Sequence, residues 1–195
     1  MNKKILCCLL VALSVLMLFS ACGRSEEPEG ASQNVNEGGN STMPYISTLY
    51  EDGSYTFADS KGNILYSSPF QKYRPRELQV SDHVYQITFS SGPSLSLRYS
   101  FFYDAEKEVI SEIYDYVLGS DGEYVVCASY QRGWDQIVVS DIFDSDAYSK
   151  TCVLLNTSTH VDFATGCEFR DDGSAEVTYL VGEDYEEATL TVEIP

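Results

Sequence analysis

The residue types suited to nucleophilic catalysis lie closest together between Ser158 and Asp162. The run Ser158-Thr159-His160-Val161-Asp162 holds a hydroxyl, an imidazole and a carboxylate, the three groups of a hydrolase triad. A triad needs these groups to converge in space, and neighbours along one strand or loop do not converge in that way. The chain also has no Gly-x-Ser-x-Gly elbow, which carries the nucleophile in many hydrolases. We therefore predict that the chain has no catalytic residue.

Two groups of carboxylates raise the question of a metal site. They comprise Asp141, Asp144 and Asp146, then Glu183, Asp184, Glu186 and Glu187. Calcium needs about six to eight oxygen ligands and a loop that wraps around the ion. Neither group has the Asp-x-Asp-x-Asp-Gly frame of such a loop, and strand alternation places Glu186 and Glu187 on opposite faces. We predict solvated surface charge here, with no metal and no cofactor.

A basic segment stands out in this acidic chain. Lys72-Tyr73-Arg74-Pro75-Arg76 contains three of the nine cations that follow residue 43. Pro75 keeps the residue before it extended, so the segment is predicted to be a loop with splayed side chains. Lys72, Tyr73, Arg74 and Arg76 are candidate interaction residues for an acidic partner or polymer. The alternative is that these cations neutralise the acids around them.

The only tryptophan lies in Arg132-Gly133-Trp134-Asp135, a predicted turn between strands at 125–130 and 136–143. Aromatic residues and arginine dominate the energetics of binding interfaces, so Trp134 and Arg132 are also candidate interaction residues. The tryptophan can equally fold back over the end of the sheet. All 15 tyrosines follow residue 44. They suit half-buried strands, and they equally suit contacts with glycans or peptides.

The elements that must position these residues are predicted to be strands. Apolar residues alternate with polar ones in three stretches, which are 83–89, 94–103 and 187–194. This period of two is typical of antiparallel strands with one face in water. The alternation makes His83, the other histidine, a packed or half-exposed strand residue in phase with Tyr85 and Ile87. Val177–Val181 leads into Gly182-Glu183-Asp184, which predicts a hairpin.

The fold predicted from these strands is all-β, an antiparallel sandwich or curled sheet of about nine or ten strands. A weak repeat favours an alternative of partial propeller-like blades. Phe57-Ala58-Asp59, Phe102-Tyr103-Asp104 and Phe143-Asp144 recur at intervals of 45 and 41 residues. Only three to three and a half such units fit into residues 44–195, whereas complete propellers have about four to eight blades.

Charge excludes one class of partner. Twelve Lys and Arg face 30 Asp and Glu, giving a formal charge of −18. Such a chain has no continuous basic face to displace counterions from phosphates, so we predict no nucleic-acid partner. After residue 43 the cysteines are Cys127, Cys152 and Cys167, an odd number that permits one disulfide or three buried thiols.

The N-terminus predicts export. Lys3 and Lys4 precede an apolar run from Ile5 to Phe19, followed by small residues, which is the layout of a secretory signal. Phe19-Ser20-Ala21-Cys22 resembles the lipobox of bacterial lipoproteins, with a departure only at its first position. The resemblance implies that Cys22 becomes the mature N-terminus and carries a thioether-linked diacylglycerol. The predicted domains are a signal peptide at 1–21, a lipidated cysteine with a flexible acidic linker at 22–43, and an all-β domain at 44–195.

Two further stretches, Ile137–Asp144 and Val177–Glu187, resemble uncharacterised small exported lipoproteins of Gram-positive bacteria. That resemblance implies a location at the cell membrane, facing outside the cytoplasm, and supports nothing about activity. The function predicted is a membrane-anchored lipoprotein whose domain binds an unknown envelope protein, peptide or glycan without catalysis. The alternatives are a cell-envelope hydrolase that uses His160 or pairs of acidic residues, and an accessory subunit of an envelope complex.

Overall fold

A computed structural model describes residues 43–90, 98–128, 135–155, 157 and 164–195. These residues form antiparallel strands joined by turns, so the all-β prediction is confirmed. Sheet I comprises β1 (Tyr45–Leu49), β2 (Tyr55–Asp59) and β3 (Ile64–Ser68). Sheet II comprises β4 (Arg76–Gln79), β5 (Val84–Ser90), β6 (Arg98–Asp104), β7 (Val109–Ile110) and β8 (Tyr114–Asp115). Sheet III comprises β9 (Val117–Ser120), β10 (Tyr124–Ala128), β11 (Gln136–Asp141) and β12 (Ser149–Val153), and sheet IV comprises β13 (Ala164–Arg170), β14 (Ser174–Val181) and β15 (Glu186–Glu193).

The four sheets stack in series, and each is built from strands that follow one another in sequence. One hydrophobic core lies between each consecutive pair of sheets. This arrangement matches the alternative of partial propeller-like blades better than a two-sheet sandwich. Within the described ranges the strands number fifteen, more than the nine or ten expected, because short strands such as β7 and β8 have two residues each.

Stacking on both sides buries both faces of the inner sheets. In β6, Phe101 and Tyr103 pack against sheet I, whereas Phe102 packs in the core shared with sheet III. The alternation predicted one wet face for this strand. That prediction is wrong for β6, because a neighbouring sheet covers the second face as well. In β10, Val125 and Val126 likewise enter different cores.

Aromatic rings build the core between sheets I and II. The ring centroids of Tyr45 and Phe57 lie 4.8 Å apart, and the Phe57 ring meets the edge of Phe101 at 5.2 Å. Each such pair contributes about 0.5–1.5 kcal/mol beyond the burial of its surface. Burial, with a smaller effect of Glu77, raises the pKa of the Tyr45 hydroxyl above its usual range. The two sheets are therefore joined by packed rings whose hydroxyls stay protonated.

Aspartates end three of the strands and organise the turns that follow. Asp59 Oδ1 accepts hydrogen bonds from the backbone N–H groups of Lys61 and Asn63, at 2.9 and 2.8 Å. Asp104 and Asp141 occupy the same place after β6 and β11 and accept the same kind of bond. The repeat seen in the sequence therefore continues at Asp141 and not at Asp144. These carboxylates are structural parts of turns.

The part of the chain placed by the structure contains no helix long and apolar enough to cross a membrane.

Two strands from different sheets approach closely at Gly119. This glycine lies in β9, and a Cβ built on it would stand 2.9 Å from the carbonyl oxygen of Cys167 in β13 and 3.0 Å from its Cβ. Real Cβ atoms are almost never that close to backbone, so a side chain here would push the edges of sheets III and IV apart. The lack of a side chain at Gly119 therefore sets the spacing of these sheets.

We expect Gly119→Ala to lower the free energy of unfolding by about 1–3 kcal/mol, the usual cost of overpacking. Gly166→Ala is the matched control, because that glycine lies in the adjoining strand β13 and a Cβ on it meets no atom within 4 Å. Thermal melting of the two variants beside the parent chain makes the comparison. Equal melting temperatures for all three proteins would show that the contact between Gly119 and Cys167 has room for a methyl group.

Candidate binding site

A cleft of about 720 Å³ opens beside the first strands of three sheets. Its floor is formed by β4, β5 and β6 of sheet II, and its walls come from β9 of sheet III and β13 of sheet IV. Binding sites for small ligands typically have volumes of about 300–1,000 Å³. The cleft is therefore large enough for a small molecule or a short segment of a partner.

The cleft exists because one face of sheet II carries apolar side chains at one end and polar side chains at the other. Val84 and Phe102 lie at one end of this face and pack in the core shared with sheet III. Gln86, Thr88 and Ser100 continue the same face and are polar. Sheet III does not pack over these polar residues, which line the cleft instead.

Hydrogen bonds hold the polar floor in one arrangement. The Gln86 side-chain amide donates to the hydroxyls of Thr88 and Ser100, at 3.1 and 3.2 Å, and those two hydroxyls lie 3.0 Å apart. The backbone register aligns Arg76, Thr88 and Ser100 in one row across the sheet. Ser100 is buried and holds the other two side chains in place, whereas Gln86 and Thr88 are half-buried and can donate to or accept from a polar ligand.

The rest of the lining combines apolar and charged side chains. Leu78, Leu118 and Phe169 supply apolar surface, whereas Arg76, Arg98 and Glu168 supply charge. The Arg98 guanidinium lies 5.8 Å from the centre of the Tyr116 ring. This composition suits a ligand that has both an apolar part and an anionic part.

The basic segment 72–76 adjoins the cleft through Arg76 and is held at two buried residues. Gln71 donates its backbone N–H to the Gly53 carbonyl and its side-chain amide to the Tyr99 hydroxyl, both at 2.5 Å. Pro75 is buried as well, whereas Lys72, Tyr73 and Arg74 between them are exposed. The Lys72 ammonium stands 5.3 Å from the centre of the Tyr73 ring. The segment is therefore anchored in a way that presents these three side chains to the outside.

Within the described residues, the cations of this segment form no ion pair with a neighbouring acid. Ion pairs form there at Lys61–Glu108, Lys107–Asp104 and Arg170–Glu176, and none involves Lys72, Arg74 or Arg76. The adjacent acid, Glu77, instead accepts hydrogen bonds from the hydroxyls of Tyr45 at 3.1 Å and Ser47 at 2.6 Å. The described residues therefore do not show the internal neutralisation that was the alternative for this segment.

Sequence reasoning missed part of this surface. Phe70 lies two residues before the basic segment and is 67% exposed, so it adds an exposed aromatic ring next to that segment in the chain. Thr88 and Ser100 belong to the alternating polar positions that predicted an ordinary wet face. The sequence shows that these positions are polar. They line a cleft because sheet III does not pack over them, and the sequence pattern does not give that arrangement.

The remaining candidates fall into two groups. Cys22, Arg132, Trp134 and His160 lie outside the described residues.

His83 lines a second, shallower cleft of about 420 Å³ with Asp104, Asp121 and Asp141. The Asp121 carboxylate accepts hydrogen bonds from the backbone N–H groups of residues 123 and 124. Asp104 and Asp141 accept the same kind of bond in the turns that follow β6 and β11. In the described ranges, no three His, Cys, Asp or Glu side chains are placed to hold a metal ion.

Cys127, Cys152 and Cys167 form no disulfide with one another. Cys127 is buried, whereas Cys152 and Cys167 are half-buried and pack against the core between sheets III and IV. Of the two possibilities left open by the sequence, the structure thus shows three thiols and not a disulfide.

No protein-family model matches the sequence, and no curated protein matches it. Among solved structures, the chain is similar to BamB from Moraxella catarrhalis, with a TM-score of 0.24 and 9% sequence identity. The match covers 77% of this chain and 62% of that one, so it spans less than two thirds of the BamB chain.

We expect the Cys167 thiol to resist alkylation in the folded protein. Burial, with a smaller effect of the Asp121 charge, raises the pKa of this thiol to about 12. Because the thiolate is the reacting form, iodoacetamide at pH 8 should modify Cys167 at least about a hundredfold more slowly than in the unfolded chain. Peptide-resolved mass spectrometry with and without guanidinium measures both rates. Similar rates in the two conditions would contradict the burial of this side chain.

Proposed function

We propose that the protein is a non-catalytic binding protein, held by lipid on Cys22 at the outer face of the cell membrane. The observation that supports binding is the cleft of about 720 Å³, whose polar floor continues through Arg76 into an anchored basic segment. Arginine and aromatic residues at such a surface are typical of interaction sites. The partner is an envelope protein, peptide or glycan that carries negative charge.

The chemistry of the cleft supports binding without catalysis. Among the described lining residues, Glu168 is the only one with an acidic side chain, and none is a histidine. The Cys167 thiol beside it is kept protonated by burial. A nucleophile needs a neighbouring base to become reactive, and the described lining holds no such pair.

The proposed anchor suits the charge of the domain. The linker at 23–43 has a root-mean-square reach of roughly 25 Å if it behaves as a flexible chain. Residues 44–195 contain nine Lys and Arg and 26 Asp and Glu, which gives a charge of −17. Because membrane surfaces are usually anionic, the linker would hold this domain away from the lipid, with its cleft free to bind.

Lipidation is tested by metabolic labelling with an alkyne fatty acid. We expect the chain to incorporate the label and Cys22→Ser to lose it, because the Cys22 sulfur is the acceptor. Cys127→Ser is the matched control and should keep the label, since Cys127 is buried within the domain. Label that persists on Cys22→Ser would rule out the proposed anchor.

The binding surface is tested by capture of envelope components with the full chain in detergent. We expect Arg74→Gln combined with Arg76→Gln to reduce the captured partner at least about tenfold, because these cations form no ion pair among the described residues and their charge can attract an acidic partner. Lys150→Gln is the control, since it removes an exposed cation from β12, away from the cleft. Quantitative mass spectrometry compares the three baits.

Equal capture by all three baits would remove the basic segment from the binding surface. A panel of envelope substrates tests the enzymatic alternative in parallel. Hydrolysis by the full chain that His160→Ala abolishes would overturn the proposal of a non-catalytic protein.

A further inference from the structure

Strand β4 borders the cleft and has one open edge. It pairs with β5 alone, and within the described residues no strand pairs with its other side. The unpaired edge of a strand presents a row of backbone N–H and C=O groups that another chain can satisfy. The open edge of β4 thus adjoins the same cleft as Arg76 and Leu78.

The hydrogen-bond register identifies which backbone groups point outward. Val80 donates its N–H to the Val84 carbonyl at 2.9 Å, so these two residues form a hydrogen-bonded pair at the end of the hairpin. Such pairs alternate along an antiparallel ladder. Residues 78 and 76 are therefore bonded to β5, whereas the backbone groups of Glu77 and Gln79 face the open edge.

The side chains of β4 divide between two environments. Arg76 and Leu78 line the cleft, and Leu78 is 47% exposed. The Glu77 carboxylate turns to sheet I, where Tyr45 and Ser47 donate to it. A chain lying along the edge would therefore meet an apolar side chain at Leu78 and positive charge at the end of β4 nearest the basic segment.

We infer that the cleft takes an extended acidic peptide segment that adds a strand to the open edge of β4; this inference rests on the proposed binding function. Acidic residues of the peptide lie against Lys72, Arg74 and Arg76, and an apolar residue packs on Leu78. Outward N–H and C=O groups of residues 77 and 79 recur about every 7 Å, a spacing that a second extended backbone matches. A glycan has no such repeat.

Charge complementarity selects the acidic class of peptide. The cations that follow one another at this edge are Lys72, Arg74 and Arg76. The acids close to it are Glu77, whose carboxylate accepts from two hydroxyls, Glu168 on the wall of the cleft, and Asp82 in the turn after β4, whose carbonyl accepts from the Gln79 side chain. Positive charge is therefore concentrated at the Arg76 end of β4, although the formal charge of the chain is −18.

The probe for this inference is a fluorescent eight-residue peptide with three glutamates followed by alternating valine and threonine. Anisotropy measures its binding to the full chain in detergent. Two peptides with altered chemistry accompany it: one has lysine in place of glutamate, and one is N-methylated at alternate residues on the pairing edge. We expect both changes to weaken binding at least about tenfold, the first through charge and the second through lost backbone hydrogen bonds.

Variants of the protein test the same contacts from the other side. Gln79→Pro removes the outward N–H without removing a β4–β5 hydrogen bond, which is where an edge strand tolerates proline. We expect it to weaken binding of the glutamate peptide at least about fivefold, and Arg76→Gln to weaken it by a similar factor. Lys150→Gln is the control and should bind as the parent does, because Lys150 is an exposed cation on β12, at the other side of sheet III from the strand β9 that lines the cleft.

The outcomes separate this inference from the proposed function. If N-methylation has no effect, or Arg76→Gln binds as the parent does, strand addition at β4 is wrong. If polygalacturonate binds in an Arg76-dependent way and the peptides do not, the ligand is an acidic glycan, and only the peptide inference fails. If Gln79→Pro melts at a lower temperature than the parent, its weaker binding can result from lost structure. The N-methylated peptide alone then decides whether the ligand pairs with the edge of β4.

Discussion

Sheet II is packed between two other sheets, and only half of its face toward sheet III is apolar. Val84 and Phe102 make the apolar half and join the core between the two sheets. The polar half at Gln86, Thr88 and Ser100 cannot join an apolar core without losing its hydrogen bonds to water or to a ligand. The three side chains meet this requirement partly by bonding to one another and partly by facing a cleft. The cleft is therefore a direct consequence of where the polar residues of β5 and β6 lie.

The cations of the basic segment cost the fold little. Exposed ion pairs contribute about 0–1 kcal/mol each, so the lack of an ion pair to Lys72, Arg74 and Arg76 among the described residues sacrifices almost no stability. Stability comes instead from the three cores, above all the aromatic contact between sheets I and II. The basic segment is fixed in position by uncharged groups, Gln71 and Pro75. Its charges are thus available for an external partner without weakening the structure that presents them.

The sequence predicts single strands and hairpins well, because these depend on neighbours along the chain. The alternation of β15 and the hairpin between β14 and β15 are confirmed. The stacking of sheets is harder to predict, because Phe102 looks like an outward residue until sheet III is placed over it. The same limit applies to the candidate site. Arg76 stands out by composition, whereas Thr88 and Phe169 belong to it only because strands 80 residues apart meet at one cleft.

An open strand edge beside a binding cleft carries a risk of uncontrolled association, and β4 has features that limit it. The strand has four residues, Pro75 precedes it, and Arg76 begins it. Short length, proline and charge are the devices by which proteins prevent edge-to-edge pairing. Here they leave outward backbone groups at Glu77 and Gln79 only, with a cleft wall of β9 and β13 opposite. Such an edge has room for one short segment of suitable charge and offers too few hydrogen bonds to extend a sheet indefinitely.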